Sequence, residues 1–175
     1  ETNHRATELA ILNAITSVVN RSLDLDEILN DTLEKVLELE EFEGGGIHLI
    51  EAVDNILLLR SKRGLSKELS NLWTELSPGQ GLSGLAFERG ELLTVEDLLL
   101  DEALSHAALN RRAFRSIACI PIFSKDKLLG VMSIISQKPH HFLPQEIQLL
   151  KAIGDHMGIA IENAQLFESA TKQLK

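Results

Sequence analysis

The chain has 175 residues with 17 Lys and Arg against 26 Asp and Glu, a formal net charge of −9. This length suits one compact domain with a single core, and the acidic balance argues against direct binding to nucleic acid or to an anionic membrane surface. The single cysteine excludes an internal disulfide and a cysteine-rich metal cage and favours a reducing, cytoplasmic setting, while no apolar run in the sequence is long enough to insert into a membrane.

Two amphipathic helices are predicted at the start of the chain. Between residues 6 and 20 apolar residues recur at helical spacing over a wide surface, so residues 1–20 are predicted to form a linker and dimerisation helix. The second helix is predicted to begin at Asp24, whose carboxylate can cap exposed backbone N–H groups. Its apolar stripe, which should face the core, consists of Leu25, Ile28, Leu29, Thr32, Leu33 and Val36.

A glycine run at residues 44–46 is predicted to end the second helix and to lead into a β-hairpin of residues 47–61. Because side chains alternate along a strand, Ile47 and Leu49 share one face and His48 lies on the other. The apolar face should meet the helices. His48 is therefore predicted to point to the opposite side of the sheet.

The middle of the chain alternates short elements with turns. A short amphipathic helix is predicted over residues 66–75 and carries the single tryptophan, Trp73. The glycines of residues 79–84 lack both a Gly-Lys-Ser/Thr ending and a dinucleotide fingerprint, so they indicate a turn and close helix packing rather than a phosphate cradle. After a brief strand at residues 92–95, residues 96–115 have no strong period, and irregular segments of that length are often functional.

The hairpin of residues 116–136 is predicted to be the centre of the fold. Both of its arms are apolar at nearly every residue, which is typical of strands covered on both faces. Pro121, Gly130 and the β-branched residues argue against a buried helix. The rest of the chain must therefore supply two covering layers.

One long helix is predicted from residue 145 to the end of the chain at residue 175. Its regular apolar seam runs past the expected edge of the domain, which indicates a coiled-coil partner and a parallel homodimer. Because the chain opens without Met and ends inside this helix, we expect it to be part of a longer protein. The seam and relay residues are Leu150, Ile153, Met157, Ala160, Ala164 and Phe167.

Six short segments stand in a characteristic order along the chain. They are GQGLSGLA at 79–86, LTVED at 93–97, ACIPI at 118–122, LGVMSI at 129–134, FLPQE at 142–146 and IAIENA at 159–164. Their order and spacing resemble the GAF family of sensory domains. The resemblance is weaker before Ile47 but extends over nearly the whole chain, so residues 1–175 are predicted to hold a single GAF-like domain with its body at 24–166.

The resemblance implies an α+β fold of the GAF/PAS type, with a central antiparallel sheet. The N- and C-terminal helices would pack on one face, and the other face would hold a capped small-molecule pocket. Such domains usually sit between other modules of sensor histidine kinases in two-component systems, of cyclases, phosphodiesterases or transcription activators. The resemblance therefore implies a cytoplasmic sensor domain that relays ligand binding to an adjacent output domain. The alternative is a ligand-free module for dimerisation and signal relay.

More specialised members of the family match less well. Reductases of free methionine sulfoxide use several cysteines, and bilin-binding domains tether the pigment to a cysteine in the cap, whereas Cys119 lies inside an apolar strand. Neither an enzyme nor a covalent cofactor is expected. The cyclic-nucleotide signature is incomplete at residues 110–114, where the Asp-Glu pair is missing. His140 and His141 have no third ligand in sequence reach, so no metal site is predicted.

The residues expected to line the pocket come from strand parity and from the irregular cap. For each polar candidate, the alternative is that its side chain is hydrogen-bonded to neighbouring groups or exposed at the end of a strand. Arg111, Arg112 and Arg115 could attract an anionic ligand. The candidates are His48, Trp73, Phe87, His106, Phe114, Arg115, Ser116 and Ser133.

Overall fold

The computed structural model describes residues 24–101 and 113–174, with side chains as far as residue 170. The predictions for residues 1–20, His106, Arg111 and Arg112 lie outside the described residues. The described elements are α1 (Leu25–Glu40), β1 (Gly44–Glu51), β2 (Ile56–Arg63), α2 (Lys67–Trp73), β3 (Glu75–Leu76), α3 (Gly81–Arg89), β4 (Leu93–Val95), β5 (Ser116–Ser124), β6 (Lys127–Ser136) and α4 (Pro144–Leu174).

The six strands form one antiparallel sheet in the order β3-β2-β1-β6-β5-β4. The α+β architecture predicted from the sequence is confirmed. β5 and β6 pair as the predicted hairpin, with Ile120 opposite Met132 and Cys119 opposite Ser133. Both arms are buried along almost their whole length, because side chains cover the sheet on each face.

One face of the sheet is covered by α1 and α4, and we call the apolar layer between them the helical-face core. Asp24 caps α1 by accepting from the N–H groups of Asp26 and Glu27, as expected of an Asp at this position. The predicted stripe of α1 is buried in this layer together with Ile47 and Leu49 of β1. Alternation along β1 therefore predicts correctly which side chains meet the helices.

The other face carries a second apolar layer, which we call the opposite-face core. α2 contributes Leu69 and Trp73, and α3 contributes Leu82 and Ala86. These side chains pack on Ile117, Cys119, Val131 and Ile135 of the central hairpin and on Phe114. The two covers that the central hairpin requires are thus α1 with α4 on one side and the short helices with the adjoining segments on the other.

The glycine run at residues 44–46 does not end α1, which corrects the sequence prediction. α1 ends at Glu40, Glu41 takes the left-handed conformation at φ 58°, and the glycines lie inside β1. A Cβ atom at Gly44 would lie 2.6 Å from the carbonyl oxygen of Gly64, and one at Gly45 would lie 2.7 Å from that of Ser133. The glycines are needed for close backbone approach rather than for a helix stop.

α4 lies close to β5 and uses most of its predicted seam inside the domain. Leu150, Ile153, Met157 and Ala164 are buried in the helical-face core, and Ala160 packs against it. Among the described side chains of the helix, the large exposed apolar ones are instead Ile159, Leu166 and Phe167. Among the described residues, no helix is both long and apolar enough to cross a bilayer.

Candidate functional site

His48 is fully buried on the opposite face of the sheet, next to Trp73. A register shift between Ile47 and His48 interrupts the pairing of β1 with β2 at this point. The Nε2 atom of His48 lies 2.7 Å from the carbonyl oxygen of Trp73, and the two rings meet edge to face with centroids 5.7 Å apart. β-Bulges often re-aim a side chain, and here the bulge stands beside a buried polar ring.

The contact with Trp73 decides the form of the imidazole. A carbonyl oxygen only accepts hydrogen bonds, so Nε2 carries the proton, and burial lowers the pKa of His48 to about 4 against the opposing effect of this hydrogen bond. His48 is therefore neutral near pH 7 and Nδ1 is an acceptor. Nδ1 has no hydrogen-bond partner among the described residues.

A second polar group lies in the same layer, where α3 meets the central hairpin. The Oγ atoms of Ser83 and Ser133 are hydrogen-bonded at 2.6 Å, and Cys119 stands opposite Ser133 with its Sγ 4.0 Å from Ser83 Oγ. Sequence reasoning missed Ser83, because its partner is 50 residues away and no local pattern links the two. One of the two hydroxyls donates to the other, and the Cys119 thiol is within hydrogen-bond reach of Ser83.

Cys119 is the fully buried thiol of this layer, and burial raises its pKa to about 11. We therefore expect negligible labelling by a thiol reagent in the native chain at neutral pH and rapid labelling after unfolding in guanidinium. Cys119→Ala should cost about 1 kcal/mol of stability through a small cavity. Rapid labelling of the native chain would contradict this placement.

The aromatic candidates belong to the opposite-face core. Phe114 is buried in it, and Phe87 of α3 is partly buried against it. The structure thus brings together five of the predicted pocket residues on one face of the sheet, namely His48, Trp73, Phe87, Phe114 and Ser133.

The side chains of Arg115 and Ser116 bind other groups of the protein, which does not match the prediction that they face the pocket. Arg115 forms a two-pronged ion pair with Asp97, with Nε 2.8 Å from Oδ1, and this hydrogen bond holds the pKa of Asp97 below its usual range. Ser116 shares the strand side of Ala118 and donates from Oγ to the carbonyl oxygen of Lys138 at 2.7 Å. Both residues fasten the start of β5 to neighbouring loops.

An open depression of about 600 Å³ lies at the β4 edge of the sheet. Its lining includes Thr94, Asp97, Asp101 and the two histidines His140 and His141. The depression is separate from the five residues gathered on the opposite face. Among the described residues, no three His, Cys, Asp or Glu side chains are grouped so that they could hold a metal ion.

A sequence model of one domain family matches most of the chain. The family model described as GAF domain covers residues 22–162. The chain belongs to the GAF domain family. It is 24% identical over 189 residues to the circadian input-output histidine kinase CikA of Thermosynechococcus vestitus, an alignment that covers 98% of this chain and 25% of that protein. The chain spans about a quarter of the length of that relative.

Solved structures show the same fold. The GAF domain of a phosphoenolpyruvate-protein phosphotransferase from Coxiella burnetii superposes with a TM-score of 0.81 at 24% identity, covering 94% of this chain and 98% of that one. Free methionine-R-sulfoxide reductase from Neisseria meningitidis, solved with its substrate, gives a TM-score of 0.75 at 20% identity and covers 91% and 90%. At these identities the likeness concerns the fold, which is shared by regulatory domains and by an enzyme.

Proposed function

We propose that this GAF domain is a small-molecule-sensing regulatory domain of a larger intracellular signalling protein such as a sensor histidine kinase. The ligand binds on the opposite face of the sheet, next to His48 and Trp73, and the terminal helices relay its presence to an adjacent output domain. The similarity to a histidine kinase and the long helix α4 support this role.

The observation that carries the proposal is the state of His48. Its ring is buried and neutral, and Nδ1 is an acceptor without a partner among the described residues. A buried acceptor of this kind costs free energy unless a donor reaches it. A ligand that presents an N–H or O–H group would supply that donor, whereas the ion pair with Asp97 leaves Arg115 less suited to an anionic ligand.

The binding is non-covalent and non-catalytic in this proposal. Cys119 is the single cysteine of the chain, and its raised pKa disfavours the thiolate that a reductase or a pigment tether requires. The cyclic-nucleotide reading is weaker, since residues 110–114 lack the full signature.

Trp73 provides the readout for a direct test, because it is the single tryptophan and touches His48. A panel of amino acids, nucleosides, cyclic nucleotides and carboxylic acids is screened by Trp fluorescence, alongside native mass spectrometry of the freshly purified chain. A ligand should change the fluorescence and raise the unfolding temperature, and His48→Leu should abolish both effects. Thr32→Val is the matched control, since Thr32 Oγ1 is a buried polar atom of α1 that has no hydrogen-bond partner among the described residues.

The alternative is a ligand-free dimerisation and relay module. The dense packing of the described side chains in the opposite-face core favours it. If no co-purified molecule is found, no panel member changes the fluorescence and His48→Leu is more stable than wild type, the sensing proposal fails and the relay function stands.

A further inference from the structure

A second depression lies where the end of β2 meets α2, far from the β4 edge of the sheet. It has a volume of about 530 Å³, and its lining includes Lys62, Arg63 and Lys67. The described residues that line it include no Asp or Glu, although the chain as a whole carries a net charge of −9. We propose that this depression, which we call the basic pocket, binds a dianionic phosphate group.

The contact between Lys62 and Ser70 brings two hydrogen-bond donors together in the pocket. Lys62 Nζ lies 2.7 Å from Oγ of Ser70, and Ser70 is buried. An ammonium group only donates, so Ser70 Oγ accepts in this contact and its own O–H remains a donor. That O–H has no acceptor among the described residues. Buried polar groups are normally hydrogen-bonded, so an acceptor arriving from outside the chain would complete this pair.

α2 supplies two further donors on the side of the helix that carries Ser70. Residues three and four positions apart share one face of a helix, so Lys67, Ser70 and Asn71 lie side by side. Lys67 and Asn71 are exposed, and neither side chain is bonded to another described residue. Their ammonium and amide N–H groups are therefore available to a ligand.

Arg63 contributes less to the pocket than the two lysines. Its Nη2 donates to Oε2 of Glu34 in α1 at 3.1 Å, so a carboxylate already offsets its charge. Lys62 and Lys67 form no ion pair with a described carboxylate. The uncompensated positive charge of the basic pocket is therefore about two, and it comes from these two ammonium groups.

The number and charge of the donors favour a phosphate over a carboxylate. A carboxylate has two oxygens and one charge, whereas a phosphate monoester has three acceptor oxygens and a charge of about −1.5 to −2 at pH 7. Two lysines match that charge, and the hydroxyl of Ser70 and the amide of Asn71 supply neutral donors. None of the five residues gathered on the opposite face lines the basic pocket, so this is a second site beyond the proposed sensing site.

The test follows the backbone amide NMR signals of the 175-residue chain during titration with inorganic phosphate and, separately, with glycerol 3-phosphate, at constant ionic strength. Both should cause saturable shifts centred on residues 62–71, whereas glycerol should cause none and acetate should bind more weakly. Equal affinity for the two phosphates would identify free phosphate as the ligand. Tighter binding of glycerol 3-phosphate would identify a phosphorylated small molecule. Absence of a saturable shift with either, or acetate binding as tightly as phosphate, would overturn the proposal.

Lysine variants locate the site. Lys67→Gln and Lys62→Gln should each raise the dissociation constant for phosphate about tenfold, because each removes a charged donor. Lys127→Gln, which removes an exposed lysine at the start of β6, is the charge-matched control and should change it less than about twofold. Equal weakening by all three would indicate general charge attraction and would overturn the pocket. Lys67 is exposed and unbonded, so its replacement tests the proposal even if Lys62→Gln does not fold. Neither titration involves His48, so failure here leaves the sensing function untouched.

Discussion

Gly158→Ala is expected to destabilise the chain by about 2 kcal/mol or more, although alanine is the better helix former by about 1 kcal/mol. A Cβ atom at Gly158 would meet the carbonyl oxygen of Phe123 in β5, and it would also lie 3.0 Å from the backbone nitrogen of Ser124. Because both neighbours are backbone atoms, no side-chain rotation relieves the clash. α4 would have to move away from the sheet, so the steric cost outweighs the gain in helix propensity.

Urea denaturation measures this effect through the transition midpoint. Asn163→Ala is the control within α4, since Asn163 is exposed and its replacement should change stability by no more than about 0.5 kcal/mol. A Gly158→Ala chain as stable as wild type would show that α4 packs less closely on β5 than described. The same contact gives α4 a direct mechanical connection to the central hairpin.

Leu150→Ala is expected to cost about 2 to 5 kcal/mol, the usual range for removing a fully buried leucine side chain. Leu150 has no exposed surface and packs in the helical-face core. Leu166→Ala, on the same helix with 63% of its surface exposed, should leave the stability of the monomer nearly unchanged. Thermal or urea unfolding at low protein concentration measures the loss of stability in both variants.

A third variant, Leu166→Glu, tests whether the exposed side of α4 is a dimer interface. If α4 pairs with a second copy through its exposed side, a charge at Leu166 weakens the dimer, so Leu166→Glu should shift sedimentation towards monomer without unfolding the chain. Equal destabilisation by Leu150→Ala and Leu166→Ala at low concentration would contradict the assignment of Leu150 to the core. The predicted homodimer itself stays a prediction, and its surface moves from the buried seam to the side that carries Ile159 and Leu166.

Local sequence patterns predicted most of the helices and strands and, for α1 and β1, which faces are buried. The two-sided apolar pattern of residues 116–136 indicated a central hairpin, and alternation in β1 placed His48 opposite Ile47 and Leu49, since a period of two is a property of any strand. The Asp24 cap and the stripe of α1 followed from local backbone chemistry. These features depend on neighbours a few residues apart, and the resemblance to GAF domains supplied their arrangement.

Which polar groups meet depends on contacts between residues that are distant in sequence. The seam of α4 could equally face a partner helix or the domain's own sheet, because an apolar stripe does not identify what it packs against; contact with β5 assigns Leu150 and Met157 to the core. The glycines of β1 reflect approach by strands that are distant in sequence. Ser83 with Ser133 and Arg115 with Asp97 are likewise long-range pairs. Hydrogen bonds act over about 3 Å, and only the folded chain brings such groups within that distance.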